Sequence, residues 1–205
     1  MVESVDVAAG DGGQSAELSG LADFAQTIAD QVESFLLAVR EIAADDDAGR
    51  AISLLLLEVS QILLAGGRLG VQEDFQPAEE YEPDPGPDPD LDRLRLRLAV
   101  LLESVDAYTE VFDPYADPPE LVSGLLSDDL ASIASALAHG LRHFRAGRIA
   151  EALWWWQFSY VSSWGPEASS VLRALQSIVT HDRLDAEFAS EADQVEAAAQ
   201  MLGSD

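Results

Sequence analysis

Two histidines spaced i, i+4, His139 and His143, are the first residues whose types and spacing could do chemistry, because one helix face can present both imidazoles to a metal ion. On a helical wheel they fall about 120 to 160° from the Leu137 and Phe144 stripe, on the polar side. The commoner reading is a pair of solvated surface residues. A metal site would need a third ligand, and His181 belongs to another helix, so no metal is assigned. Glu58 poses a different question. A carboxylate midway along an apolar helix must be paired, protonated or facing a cavity. Ala51 and Ala65 share its face and Gln61 is one turn on. A buried ion pair with an arginine of another helix is the commoner reading, and a polar handle in a ligand pocket the sharper one. Two further residues break the pattern of an aromatic helix. Gln157 falls in the middle of its apolar arc, and Trp155 falls in the polar arc of Glu151, Ser159, Ser162 and Ser163. A glutamine among aromatics must find partners for its amide, and a tryptophan among serines must find a cover or serve as a recognition surface. The segment carrying Phe112 and Tyr115 is one candidate cover.

The elements that must position these residues read as helices. Leu21, Phe24, Ile28, Val32, Phe35, Val39 and Ile42 recur at three- and four-residue steps and specify a first amphipathic helix, interrupted by Asp45 to Asp47. The stretch from Ala48 to Ala65 is apolar nearly all round, as expected of a central core helix, and Gly66 and Gly67 read as its carboxyl-end caps. From Glu73 to Asp92 there are nine acids, five prolines and no basic residue, which predicts an extended, solvated, mobile loop. A third helix is predicted over about Asp90 to Asp106. The aromatic and proline-bearing segment Tyr108 to Glu120 reads as irregular, and a fourth helix opens with Ser127 as its cap. A fifth runs from about Arg148 to Trp164, and a sixth starts at Pro166, whose ring suits the first helical position. The turn RHFRAGRIAEALWWW looks like one tetratricopeptide repeat turn, but no second copy follows at the required period. The expected fold is therefore all-α: a single bundle of about six helices over residues 18–184 with a long acidic Pro-rich loop at 73–92. A disordered arm (1–17) and an acidic tail (185–205) flank it.

Composition narrows the function classes. The chain has 205 residues and no cysteine, which removes disulfide scaffolds, thiolate nucleophiles and Cys-ligated zinc and suits a reducing compartment. Its amino terminus carries acids where a secretory signal carries positive charge, so a cytoplasmic protein is expected. The net charge is −27, with 11 basic residues, all arginine, against 38 acids. That field repels phosphate backbones and anionic lipids, so neither nucleic acid nor membrane is an expected partner. From Ala131 to Leu184 five arginines face only three acids, a mild local reversal. No serine-hydrolase elbow, zincin helix, Walker loop or dinucleotide fingerprint is present.

Three segments, LLLEVSQILLAGGRLG (Leu54 to Gly70), EVFDPY (Glu110 to Tyr115) and RAGRIAEALWWWQFSYVSSWG followed by LRALQS (Arg145 to Ser177), resemble an uncharacterised actinobacterial family, domain of unknown function 5063. The resemblance covers about Phe24 to Leu184 and implies a cytoplasmic helical domain. It supplies no activity, cofactor or catalytic residue. The reading that follows is a noncatalytic protein-interaction or adaptor domain with an unidentified protein partner, no cofactor and no catalytic residue, Trp155 lying in its surface. The alternative is a small-molecule-binding protein or enzyme with a pocket around Glu58, Gln61 and Gln157.

Overall fold

The computed structural model describes residues 11–87 and 91–202, with side chains over 19–87 and 91–184. The chain is mostly helical, 69%, in five continuous helical stretches with one small two-stranded sheet. Helix α1 spans Asp11–Ile42 and α2 Ala48–Gly70; α3 is Asp92–Leu101. A β-hairpin follows, β1 (Ala107–Val111) and β2 (Leu121–Leu125), and then α4, Leu126–Arg145. Helix α5 (Ile149–Ser159) runs through a π-helical turn (Tyr160–Trp164) straight into α6 (Gly165–Leu202). The fifth and sixth predicted helices are thus one continuous run. Pro166 does not start a new helix, because its missing N–H falls just after a π turn that has already shifted the hydrogen-bond ladder.

Several expectations change. Residues 11–17, assigned to a disordered arm, are helical, while residues 1–10 lie outside the described residues, as do 203–205 of the predicted tail. The stretch read as irregular is a hairpin, so the fold is not all-α; Phe112 and Tyr115 sit exposed at its tip and pin nothing. Helix α2 does not stop at Gly66. It continues to Gly70, and Gly66 is a packing seat: a Cβ there would lie 2.3 Å from the Tyr160 ring and 2.7 Å from the Trp164 ring. Helix α2 is long and apolar enough to cross a membrane, yet its stripe of Ala51, Leu55, Val59, Ile62, Ala65 and Leu69 is buried against α1 and α6. Leu57 and Leu64 face outward, so α2 is not surrounded. The central element is α4, which packs on α1, α3, α5, α6 and β2. Its small residues, Ala134, Ala138 and Gly140, let neighbours approach closely. Its amino end is capped from outside: Asp106 accepts the Ser127 N–H and hydroxyl, each at 2.8 Å, so Ser127 is the capped residue and not the cap. The α4 to α5 turn closes on Gly147, whose φ of +77° is the left-handed conformation that favours glycine.

Candidate functional site

Three polar positions singled out on α4 and α5, His139, His143 and Gln157, turn toward the acidic stretch after α2. Gln157 is 7% exposed. Its carbonyl accepts the Phe75 N–H at 2.8 Å and its amide donates to the carbonyls of Leu69 at 3.0 Å and Glu73 at 3.2 Å. This explains a glutamine in an apolar arc: it replaces the hydrogen bonds that α2 and the following chain lose where the helix ends. One and a half turns earlier, buried Glu151 accepts the Ala78 N–H at 3.0 Å. Farther along, Glu82 receives both histidines, His139 Nε2 at 2.5 Å and His143 Nε2 at 2.9 Å. Arg142 donates to the Pro87 carbonyl, and Arg148 to those of Pro83 and Asp84. The segment expected to be an extended, solvated, mobile loop has no regular structure and is mostly exposed, yet it is a strap, fastened at intervals over 71–87 to one helical hairpin.

His143 is fully buried and His139 half-buried, contrary to the surface placement expected of both. The wheel failed because the strap covers the polar side of α4. Burial pushes the Glu82 carboxyl up, but the two histidine hydrogen bonds outweigh it and hold it below the ordinary value of 4.5. Glu82, His139 and His143 bring three ligand atoms within 4.8 Å of one another, a set that could hold a metal ion. Their outer partners oppose it. Arg142 Nη2 lies 3.0 Å from His139 Nδ1 and Arg148 Nη1 lies 3.5 Å from His143 Nδ1. A guanidinium only donates, so each Nδ1 accepts and each ring proton sits on Nε2, pointed at Glu82. A metal ligand needs the reverse, a bare Nε2 with Nδ1–H donating to an acceptor. The arrangement is a carboxylate clasp.

Trp155 and Trp154 are both half-buried, while Trp156 and Trp164 are fully buried, so Trp155 is not a lone outlier. The cover of Trp155 is the His139 ring, centroids 3.9 Å apart, with its N–H donating to the Ala136 carbonyl at 2.8 Å; the Phe112 and Tyr115 segment does not supply it. Glu58 forms no ion pair with a described residue. It borders a hollow of about 170 Å³ with Gln61, Asp30 and Gln31, and burial raises its carboxyl. Gln157 does not line that hollow, so Glu58, Gln61 and Gln157 do not share a pocket, and the space is below the few hundred Å³ of a small-molecule site.

The feature missed from sequence is the hairpin. Its register pairs Ala107 with Leu125 and Val111 with Leu121, and a 2.7 Å bond from the Tyr108 hydroxyl to Asp129 ties it to α4. Gly124 lets the Tyr108 ring lie across β2, since a Cβ would come within 2.8 Å of that ring. Burial and the Asp129 charge push the Tyr108 phenol far up, and Asp129, Glu110 and Glu167 are themselves raised, chiefly by burial. Beside β1 lies a groove of about 850 Å³, lined by all five β1 residues and by an α6 face that includes Ser170, Arg173, Ser177, Ile178 and His181. The available signal was the β-forming residues of the short run AYTEV, Tyr108, Thr109 and Val111.

A helical body with a clasped strap and a projecting hairpin defines the class of protein, and the same fold is seen in a crystal structure of protein BF1032 from Bacteroides fragilis. That match has a TM-score of 0.58 at 17% identity, over 74% of this chain and 89% of the other. The chain belongs to the family described as domain of unknown function 5063, which matches residues 19–181. No curated protein matches it.

Proposed function

We propose that this chain is a noncatalytic protein-interaction domain whose contacting element is the β-hairpin. The observation that carries the reading is exposure: Tyr115 is 95%, Phe112 72% and Leu121 68% exposed on one projecting element. Aromatic residues exposed together on one hairpin are the composition of a contact hot spot, and hydration of such a patch is unfavourable without a partner. The hairpin is anchored to α4 at its base by Tyr108 with Asp129 and by Asp106 with Ser127, which fixes the direction in which its tip is presented. Trp155 has a place behind the clasp and not in this surface. The polar groups Glu151, Gln157, His139 and His143 are engaged in fastening the strap. Residence in the reducing cytoplasm belongs to the same reading, supported by the absence of cysteine.

The test is cross-linking in the native cell with wild-type chain and a Phe112→Ser, Tyr115→Ser double variant, whose solvent-exposed changes leave the fold intact by circular dichroism. Loss of the cross-linked species in the double variant is expected. An identical cross-linked set from both would overturn the hairpin as the contacting element.

A further inference from the structure

The groove beside β1 is bounded by a strand edge with unspent hydrogen bonds. Phe112 N–H donates to the Glu120 carbonyl and Leu126 N–H to the Asp106 carbonyl, which fixes the even-numbered residues of β1 as the ones that exchange bonds with β2. In an antiparallel pair the alternate residues point their amides the other way. The N–H and C=O groups of Ala107, Thr109 and Val111 are therefore directed away from β2, and β1 has no other strand neighbour among the described residues. The groove is lined by every residue of β1 and by none of β2, so it lies along this open edge. Its far wall is one face of α6, where Ser170, Arg173, Ala174, Ser177, Ile178 and His181 follow at helical spacing.

We propose that the groove between the free edge of β1 and α6 takes an extended peptide by strand addition, with a peptide carboxylate set against Arg173. A third strand would pair with the amides of Ala107, Thr109 and Val111, and its side chains would alternate between solvent and the α6 wall. A strand lies about 4.8 Å from its neighbour and needs a covered face, which the α6 wall supplies. Charge selects the peptide. In a chain with 38 acids, exposed Arg173 makes no ion pair with a described residue, and no acid stands on the α6 wall of the groove. The one lining carboxylate, Glu110, stands on β1 and not on the α6 wall that carries Arg173. The net −27 acts over the whole molecule and is screened beyond about 8 Å at physiological salt, so the nearby guanidinium decides. Ile178 and Val111 supply the apolar contact.

This inference rests on the hairpin as the contacting element, and its test separates the two. The probe is a peptide of alternating valine and threonine with a central glutamate, titrated into the full chain and followed by amide-resolved exchange. Protection at the amides of Ala107, Thr109 and Val111 is expected. A peptide methylated on the amide nitrogens that would face β1 should lose binding. Arg173→Glu should weaken binding about tenfold, and a central lysine should recover it. Thr109→Pro removes an outward N–H without touching a β1 to β2 bond and should abolish protection; the peptide arms stand even if this variant does not fold. Peptide bound equally well with lysine or glutamate, or no protection on β1, would overturn the proposal. So would a concentration-dependent dimer of the free chain that Thr109→Pro dissociates, since a second copy would then own the edge. If instead the peptide fails while the Phe112→Ser, Tyr115→Ser variant still loses its cross-links, strand addition is wrong and the hairpin reading stands.

Discussion

At the scale of single residues, the strap is fastened by groups whose replacement has a defined cost. Gln157→Leu keeps the size of the side chain and removes both its donor and its acceptor, leaving the Phe75 N–H and the Glu73 carbonyl without that partner and the Leu69 carbonyl to the Gln72 N–H. The expected loss is about 1 to 3 kcal/mol of stability, with faster amide exchange at Phe75 and Ala78. Denaturant melts and exchange together check it, and an unchanged midpoint would remove the strap's main anchor from the account. The histidines carry a second prediction. Because Arg142 and Arg148 fix the ring protons on Nε2, stoichiometric Zn²⁺ should leave the Tm unchanged. A Zn²⁺-dependent rise in Tm that His143→Ala abolishes would show that the guanidiniums yield and the clasp is a metal site.

At the scale of elements, the contact between α4 and α5 depends on a glycine inside a helix. A Cβ at Gly140 would lie 2.3 Å from Trp156 Nε1, and that indole donates to the Leu137 carbonyl on the same helix. Gly140→Ala gains helix propensity and should still destabilise by about 1 to 3 kcal/mol, since the fully buried ring has nowhere to move. Trp155→Ala, at a half-buried ring, should cost less than Trp156→Ala, for which about 3 to 5 kcal/mol is expected. Thermal melts of the three variants rank them, and a stabilised Gly140→Ala would contradict the packing. The same comparison shows what was legible in the sequence. The stripes of α1 and α4 were read from periodicity, because each helix buries one face and the spacing records it locally, whereas α2, apolar nearly all round in sequence, buries one face and exposes Leu57 and Leu64. The hairpin was not, because two five-residue strands with exposed apolar ends leave too short an alternation beside three prolines. The strap was misread because its bonds are remote: Phe75 meets Gln157 82 positions on and Glu82 meets His143 61 positions on. A wheel drawn on α4 alone marks as solvent the face on which that strap lies. Glu58, Gln61 and Gln157 were grouped for the same reason, since separate wheels carry no information on how the helices are set against one another.

At the scale of the whole molecule, the charge of −27 should prevent association with duplex DNA at physiological salt, because counterion release needs a basic surface and none of the 11 arginines has a lysine to extend it. A gel shift with salt-dependent micromolar affinity would refute this. The pH dependence follows from the same excess of acid. Asp129, Glu110, Glu167 and Glu58 have pKa values raised in the folded chain, so the native state binds protons more readily than the unfolded one as pH falls toward the carboxylate range. Their contribution to stability therefore rises with acidification, and protonation also relieves self-repulsion among 38 acids. Glu82 runs the other way. Its carboxyl is held below 4.5, so the clasp's contribution is present above the unfolded value and is lost as pH falls through the folded one. The two directions separate in pH, the raised group acting first. Tm should rise as pH falls from neutral toward the carboxylate range, then fall once pH drops through the folded Glu82 value, below 4.5, as the strap is released from His139 and His143. Glu82→Gln should shift the acid limb while leaving the rise between neutral and mildly acidic pH in place. A Tm that falls steadily from neutral pH downward would show that the clasp and other favourably paired carboxylates outweigh the buried ones, and would reverse the assignment.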